Sequence, residues 1–235
     1  MNEFFSRSEA LLGEQSMDAL CSKRVIIFGV GGVGSWAAEA LIRTGLTHLT
    51  LVDGDTVQAS NINRQLPATQ ETIGMPKVEA LQARLLTINP EAQIISIPEM
   101  MNDAWLQASG LSEYDYVIDA IDSVNDKVDL ILYATRVRGL KIFSSMGAAL
   151  RFDPTQVTTA ELMAIKGDAL AKAVRVRMKK LDRYPYKKVR CVYSTEQAQR
   201  CEERGSLMQV TAVFGCTLAS LVIGDIRKAS QKNAE

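Results

Sequence analysis

The sequence predicts an α/β fold, doubly wound around a mostly parallel sheet. Three observations carry that prediction. Short apolar, β-branched runs alternate with helix-length segments from Arg24 to Gly147, the order that makes β–α–β crossovers. The first run opens into a glycine-rich turn and then a helical pattern, Gly29-x-Gly31-x-x-Gly34. The second run ends in Asp53, about 20 residues beyond Gly34, where such folds hold an acid.

The elements follow in order. Residues 8–22 read as a helix. Arg24 to Phe28, "RVIIF", is a run that suits a buried parallel strand. Gly34 to Thr44 is a helix stopped by Gly45, a C-cap residue. Leu49 to Asp53, "LTLVD", is the second strand, and residues 54–74 are polar and irregular. Pro76 to Ile88 is a helix with proline in its first turn, ended by Asn89-Pro90. "AQIISIP", "YDYVIDAID" and "KIFSSMG" are the next three strands, with helices over Asp103–Gly110 and Asn125–Arg138 between them. After Ala149 the pattern changes. Residues 151–159 read as a strand pair or loop, 160–182 as a charged helix, and 183–206 resist assignment. An apolar helix near the C-terminus should return to the sheet. The expected organisation is a Rossmann-like nucleotide-binding part over residues 1–150. Residues 151–235 form an extension packed on the same domain.

Composition bounds the rest. The chain has 235 residues, 47% hydrophobic and 23% charged, so it can bury one large core. Zero formal net charge rules out a uniform polyanion-binding surface but not a local one. Cys21, Cys191, Cys201 and Cys216 form no C-x-x-C pair, so no zinc ribbon is encoded. The acidic start "MNEFFSRSEALLGEQ" is no signal peptide, and the apolar run Val210 to Ile223 is shorter than a membrane span. A cytoplasmic protein without a membrane anchor is expected.

The glycine turn is the first chemical signal. Gly29, Gly31, Gly32 and Gly34 let phosphate oxygens approach the backbone, and the helix behind them offers unpaired N–H groups. Asp53 can accept from ribose hydroxyls. NAD, FAD, SAM and ATP sites all share this much. The following residues narrow the choice. Asp53, Asp55, Asn61, Arg64 and Gln65 fall in a loop beyond the sheet's carboxyl edge. Lys77 opens the next helix, and Asp119 and Asp122 end the fourth strand. Cations beside carboxylates suit attack at phosphorus, which needs charge neutralisation and a magnesium ligand. Hydride transfer would leave Arg64, Lys77 and Asp122 without a task. The only histidine, His48, starts a strand, which disfavours a Ser–His triad.

A second signal is charge. Lys172 to Arg190 holds nine basic residues and one acid, Asp182, with Tyr184 and Tyr186 interleaved. Lys179, Lys180, Arg183, Lys187, Lys188 and Arg190 suit an RNA phosphate backbone, and a tyrosine can stack on an unpaired base.

The stretches "VIIFGVGGVGSWAAEALIRTGLTHLTLVDGDTVQASNINRQ", "GMPKVEAL" and "INPEAQI" resemble the ThiF/MoeB/HesA family of ubiquitin-activating-like adenylating enzymes. Within it, "VIDAIDSV", "DPTQV" and "CVYSTE" are similar to the branch that dehydrates N6-threonylcarbamoyladenosine in tRNA. The resemblance implies ATP and Mg2+, with Asp53 on the ribose, Asn61, Arg64 and Lys77 on the phosphates, and Asp122 on magnesium. It also implies a homodimer in which Arg7, in "FFSRSEALLG", enters the neighbouring site. A monovalent cation near "SSMGAALRFDP" belongs to the same implication. The alternative within the family is adenylation of a Gly-Gly terminus on a ubiquitin-like sulfur-carrier protein. That branch often carries the zinc pairs this chain lacks and uses a reactive cysteine, for which Cys191 and Cys201 are the candidates. A sulfur-transfer partner and a non-catalytic binding module that has kept the fold are the other readings.

Overall fold

Seven five- or four-residue strands form one sheet in the computed structural model, which describes residues 3–108, 110–203 and 205–232. They are β1 (Arg24–Phe28), β2 (His48–Val52), β3 (Gln93–Ile97), β4 (Tyr116–Asp119), β5 (Lys141–Ser145), β6 (Val157–Glu161) and β7 (Arg190–Ser194). Their order is β3-β2-β1-β4-β5-β7-β6. All pairs are parallel except β6 with β7. The winding direction reverses between β1 and β4, so a crevice opens beyond their carboxyl ends. The glycine turn leaves β1 at that point.

Alternation along the strands sorts the side chains into two layers. Val25, Ile27, Leu49, Leu51, Ile94, Tyr116 and Ile118 are buried in one core cluster. It is completed by α2 (Glu14–Ser22), α3 (Gly34–Thr44), α4 (Lys77–Ile88) and α8 (Met208–Lys232). Ile26, Phe28, Val117, Ile142 and Cys191 are buried on the other face. There they meet α5 (Asp103–Ala108), α6 (Val124–Ala134) and α7 (Ala169–Leu181). Full burial of each such aliphatic or aromatic side chain contributes about 1.5–3 kcal/mol.

The first five strands and their helices follow the sequence reading, with shifts of a few residues at the ends. The expected helix over 8–22 is two helices, α1 (Ser6–Leu12) and α2, parted at Gly13, whose φ is 82°. Pro76 is the N-cap of α4 rather than part of its first turn.

The second half departs further. The helix expected over 160–182 begins only at Ala169, because the Asp168 side chain caps it by accepting from the Ala171 N–H. Residues 157–161 are instead strand β6. The unassigned stretch contains β7, which inserts beside β5 and carries the sheet onward to β6. Residues 151–235 therefore extend the sheet of the first 150.

α8 is long and apolar enough to cross a membrane by length and composition. Here Val210, Phe214, Leu218, Val222 and Ile226 are buried with Ala37, Ala38 and Leu41 of α3. Gly215 lets the two helix backbones touch. A Cβ there would lie 2.7 Å from Trp36 Cβ and 2.8 Å from the Ala37 nitrogen.

Candidate active site

Two glycines fix the turn after β1. Gly29 has φ 82°, and a Cβ on it would lie 2.8 Å from the Ala120 carbonyl oxygen. A Cβ on Gly34 would land on the Gly29 carbonyl oxygen. The turn thus closes on itself and abuts the β4–α6 connection, which carries Asp122. Gly31 and Gly32 face the other wall. A Cβ on Gly31 would lie 3.5 Å from Gln65 Nε2, and one on Gly32 would lie 3.4 Å from Arg64 Cγ.

Asp53 ties the loop beyond β2 to this turn. Its Oδ2 accepts from the Val30 N–H at 2.8 Å and its Oδ1 from the Asp55 N–H at 2.9 Å. Asp55 in turn holds Lys77, with Nζ to Oδ2 at 2.7 Å. A lone lysine is more often a solvated surface charge, yet only 8% of the Lys77 side chain is exposed. It can reach an anion without first shedding a hydration shell.

Asn61 is buried and accepts from the Gln58 N–H at 3.0 Å, which closes the short turn over Ala59–Asn61. The Arg64 guanidinium donates to the Ser60 carbonyl and to Asn63 Oδ1. Trp36 Nε1–H donates to the Arg64 carbonyl at 3.1 Å, so α3 steadies that residue. Gln65 is buried beside Gly31, and its Oε1 has no partner among the described residues. A buried amide oxygen without a partner costs about 1–3 kcal/mol, which suits a ligand at the glycine turn.

Asp122 is exposed and stands at the mouth of the crevice. The cap of α6 is Ser123, and no side-chain bond caps the helix, so Asp122 is not spent as a cap. Asp119 needs a correction. Its place in the sequence suggests a second crevice carboxylate, but it is fully buried and bonded to Lys127 Nζ at 2.7 Å and to Ser144 Oγ at 2.6 Å. Its other oxygen accepts from the Ile121 N–H at 3.1 Å, which shapes the turn carrying Asp122.

Lys127 is a residue that motif spacing does not pick out. It is fully buried and also donates to the Ser145 carbonyl at 2.9 Å. The available signal was its phase, because it shares the stripe of Ile131 and Ala134.

The second half reaches the same edge. Thr211, at the start of α8, would lie 3.4 Å from a Cβ on Gly32. Asn63 Nδ2 donates to the Ser206 carbonyl at 2.9 Å, across 143 positions of chain. The loop before Ser206 is held in turn. Leu150 exchanges backbone bonds with Gly205 and Gln199, and Glu196 accepts from the Phe152 and Asp153 N–H groups.

Other expected residues lie elsewhere. Arg7 is exposed on α1. The preceding Phe5 sits 3.6 Å from where a Cβ on Gly45 would be, at the far end of α3. The 11 residues of α3 separate it from the glycine turn by about 16 Å. Lys179, Lys180, Arg183, Lys187, Lys188 and Arg190 also lie away from the crevice. α7 starts near Gly147, beyond β5, and runs back to the opposite edge, where Lys187 Nζ donates to the Val137 carbonyl after α6. Cys191 is buried on β7, and burial pushes its thiol up to about 12, so it is no nucleophile at neutral pH. Cys201 is exposed. His48 begins β2 as expected.

Comparison with known proteins bears on the family and the fold. The ThiF family matches residues 5–234. The tRNA threonylcarbamoyladenosine dehydratase of Bacillus subtilis (strain 168) is 40% identical over 176 residues, 75% of this chain and 69% of that protein. The dehydratase of Escherichia coli (strain K12) is 36% identical over 217 residues, 88% of this chain and 79% of that protein. A crystal structure of the E. coli enzyme, TcdA, in complex with ATP matches with a TM-score of 0.92 at 33% identity, covering 98% of this chain and 96% of that one. With its glycine turn, its Asp53 loop and its full-length agreement in fold, the chain belongs to the ThiF family.

Proposed function

We propose that this protein dehydrates N6-threonylcarbamoyladenosine in tRNA, using ATP to activate the carboxylate. The observation that carries the reading is full-length agreement in fold with ATP-bound TcdA, together with one carboxyl edge that gathers the glycine turn, Asp53, Asn61, Arg64, Gln65 and Lys77. The relatives at 36–40% identity are dehydratases, which disfavours the sulfur-carrier alternative.

The threonyl carboxylate attacks the α-phosphorus of ATP, and pyrophosphate leaves. The carbamoyl group of the same side chain then attacks the activated carbonyl, and AMP leaves as a five-membered ring closes. The net change is loss of one water. Because the second attack is intramolecular, it needs no enzyme nucleophile, in keeping with a buried Cys191.

The residues divide the work. The glycine turn and the start of α3 cradle phosphate, and Asp53 accepts from the ribose. Asn61 and Gln65 orient the phosphate chain, while Arg64 and Lys77 offset its growing charge. Asp122 fits magnesium, because that ion takes one or two carboxylates and completes its shell with phosphate oxygens and water. Magnesium, when bound there, neutralises charge on the departing pyrophosphate. Arg7 lies on α1 just after Phe5, which packs at the end of α3 away from the glycine turn, and on this reading it acts in trans within a homodimer. A monovalent cation steadies the turn after β5, and a sulfur-transfer protein is a further partner. Residues 1–150 hold the nucleotide, residues 151–235 serve the RNA, and the reaction runs in the cytoplasm.

Pyrophosphate release from magnesium-ATP tests this, with three additions in parallel: threonylcarbamoyl-modified tRNA, the same tRNA unmodified, and a carrier protein ending in Gly-Gly. Release only with modified tRNA, with loss of water from the base by mass spectrometry, is the expected outcome. Release only with the carrier would move the protein to sulfur activation. Silence in all three would sink the catalytic reading.

A further inference from the structure

The basic residues of the α7–β7 connection lie on the wrong side of the sheet for contact with the reacting nucleotide. α7 begins beside Gly147 at the carboxyl edge and ends at Leu181, and Arg190 then starts β7. Its 13 residues rise about 20 Å. Lys179, Lys180 and Lys187 therefore stand at the amino edge, the length of α7 away from the carboxyl edge that holds the crevice.

That edge carries other cations, several of which are paired with carboxylates. Lys23 pairs with Asp115 at 2.9 Å, Arg24 with Glu113 at 3.2 Å, and Lys141 with Asp225 at 2.5 Å. Lys188 pairs with Glu161 at 3.4 Å. Lys179, Lys180 and Lys187 are exposed and make no ion pair among the described residues. Arg183 shares a cavity of about 310 Å³ with Asp103 and Asp129, so its charge is partly offset. Beside the three lysines stand Tyr184 and Tyr186, 49% and 78% exposed. Cations left unpaired on a neutral chain project a local positive field. Lysine and tyrosine side chains of this kind contact phosphates without reading sequence.

We propose that Lys179, Lys180 and Lys187 grip the phosphate backbone of the RNA stem, not the loop that carries the reacting base. The proposal rests on the tRNA reading above. The rise of α7, about 20 Å, is several times the axial spacing of successive phosphates on one strand of a nucleic-acid duplex, about 3 Å. An RNA with its modified base in the crevice thus passes the lysines several nucleotides away. The strip acts as a length gauge. It adds affinity only for an RNA long enough to reach from one edge of the sheet to the other.

The test compares the wild-type protein with the triple variant Lys179→Gln, Lys180→Gln, Lys187→Gln. Each binds two RNAs over a range of salt: full-length modified tRNA, and a short single-stranded loop oligonucleotide carrying the same modified base. Arg24→Gln, at a paired cation of the same edge, is the control, and thermal melting verifies that every variant is folded. The triple variant should bind full-length tRNA at least tenfold more weakly at physiological salt. Its salt slope should shrink by about 0.9 for each phosphate that a lysine no longer neutralises. Its affinity for the oligonucleotide and for ATP, and its turnover at saturating tRNA, should change less than twofold. Equal losses on both RNAs would overturn the proposal, because the strip would then touch the loop. An unchanged tRNA affinity would overturn it too. Turnover of modified tRNA by the wild type reports separately on the dehydratase reading.

Discussion

At the carboxyl edge Lys77 and Lys127 are buried and paired with Asp55 and Asp119, whereas at the amino edge Lys179, Lys180 and Lys187 are exposed and in no ion pair among the described residues. The difference follows from solvation. A buried cation must have a partner, because removing an ion from water costs several kcal/mol. Once partnered it is held in one place, ready for charge that develops during reaction. An exposed cation keeps its hydration and its mobility. It suits a long, flexible polyanion better than a single phosphorus atom.

On that contrast, the largest single effect belongs to Lys127. Lys127→Met should lose about 3–5 kcal/mol of stability in urea unfolding, because the Asp119 charge is left buried and alone. Adding Asp119→Leu should recover most of the loss. A single variant that loses under about 1 kcal/mol would mean the pair does not hold the β4 end together.

The next contrast is between thiols. Cys191, pushed up to about 12 by burial, should react with iodoacetamide at pH 8 on the order of a thousandfold more slowly than exposed Cys201, by peptide mapping. Comparable rates would show that β7 opens readily. Asp122→Asn should lower turnover by about a hundredfold or more, with stability within about 0.5 kcal/mol of wild type because the side chain is exposed. A large loss of stability would make Asp122 a structural residue instead. The smallest effect belongs to Lys180→Gln, which should leave the unfolding free energy within about 0.5 kcal/mol of wild type.

The two halves of the chain differ in how far the sequence could be read. β1 to β4 are legible because each is an apolar run followed by a helix, and β5 because it is an apolar run that pairs with β4, one crossover back. β7 is not. "RCVYS" is short, follows two lysines closely, and gains its place by pairing with β5, far back in the chain, and with β6. β6 was legible in part, because residues 151–159 read as a strand pair or loop, but its end fell in the expected helix, since its one strand partner among the described residues is β7. At the site, Gly29, Gly34, Asp53 and Lys77 were legible from motif spacing. The inward turn of Asp119 was not, because it depends on Lys127 reaching β4 from the start of α6. The distance between the basic segment and the crevice was also hidden, since charge clustering reports sign but not which edge of a sheet a helix ends on.

The bridge from Asn63 to Ser206 and the close fit of Gly215 on α3 have a bearing on how the protein is made. The ribosome releases the glycine turn early, but the loop and helix that cover it emerge well over a hundred residues later. A growing chain would hold its phosphate cradle open, without Thr211 against Gly32. Tight retention of nucleotide would then begin only after α8 has docked.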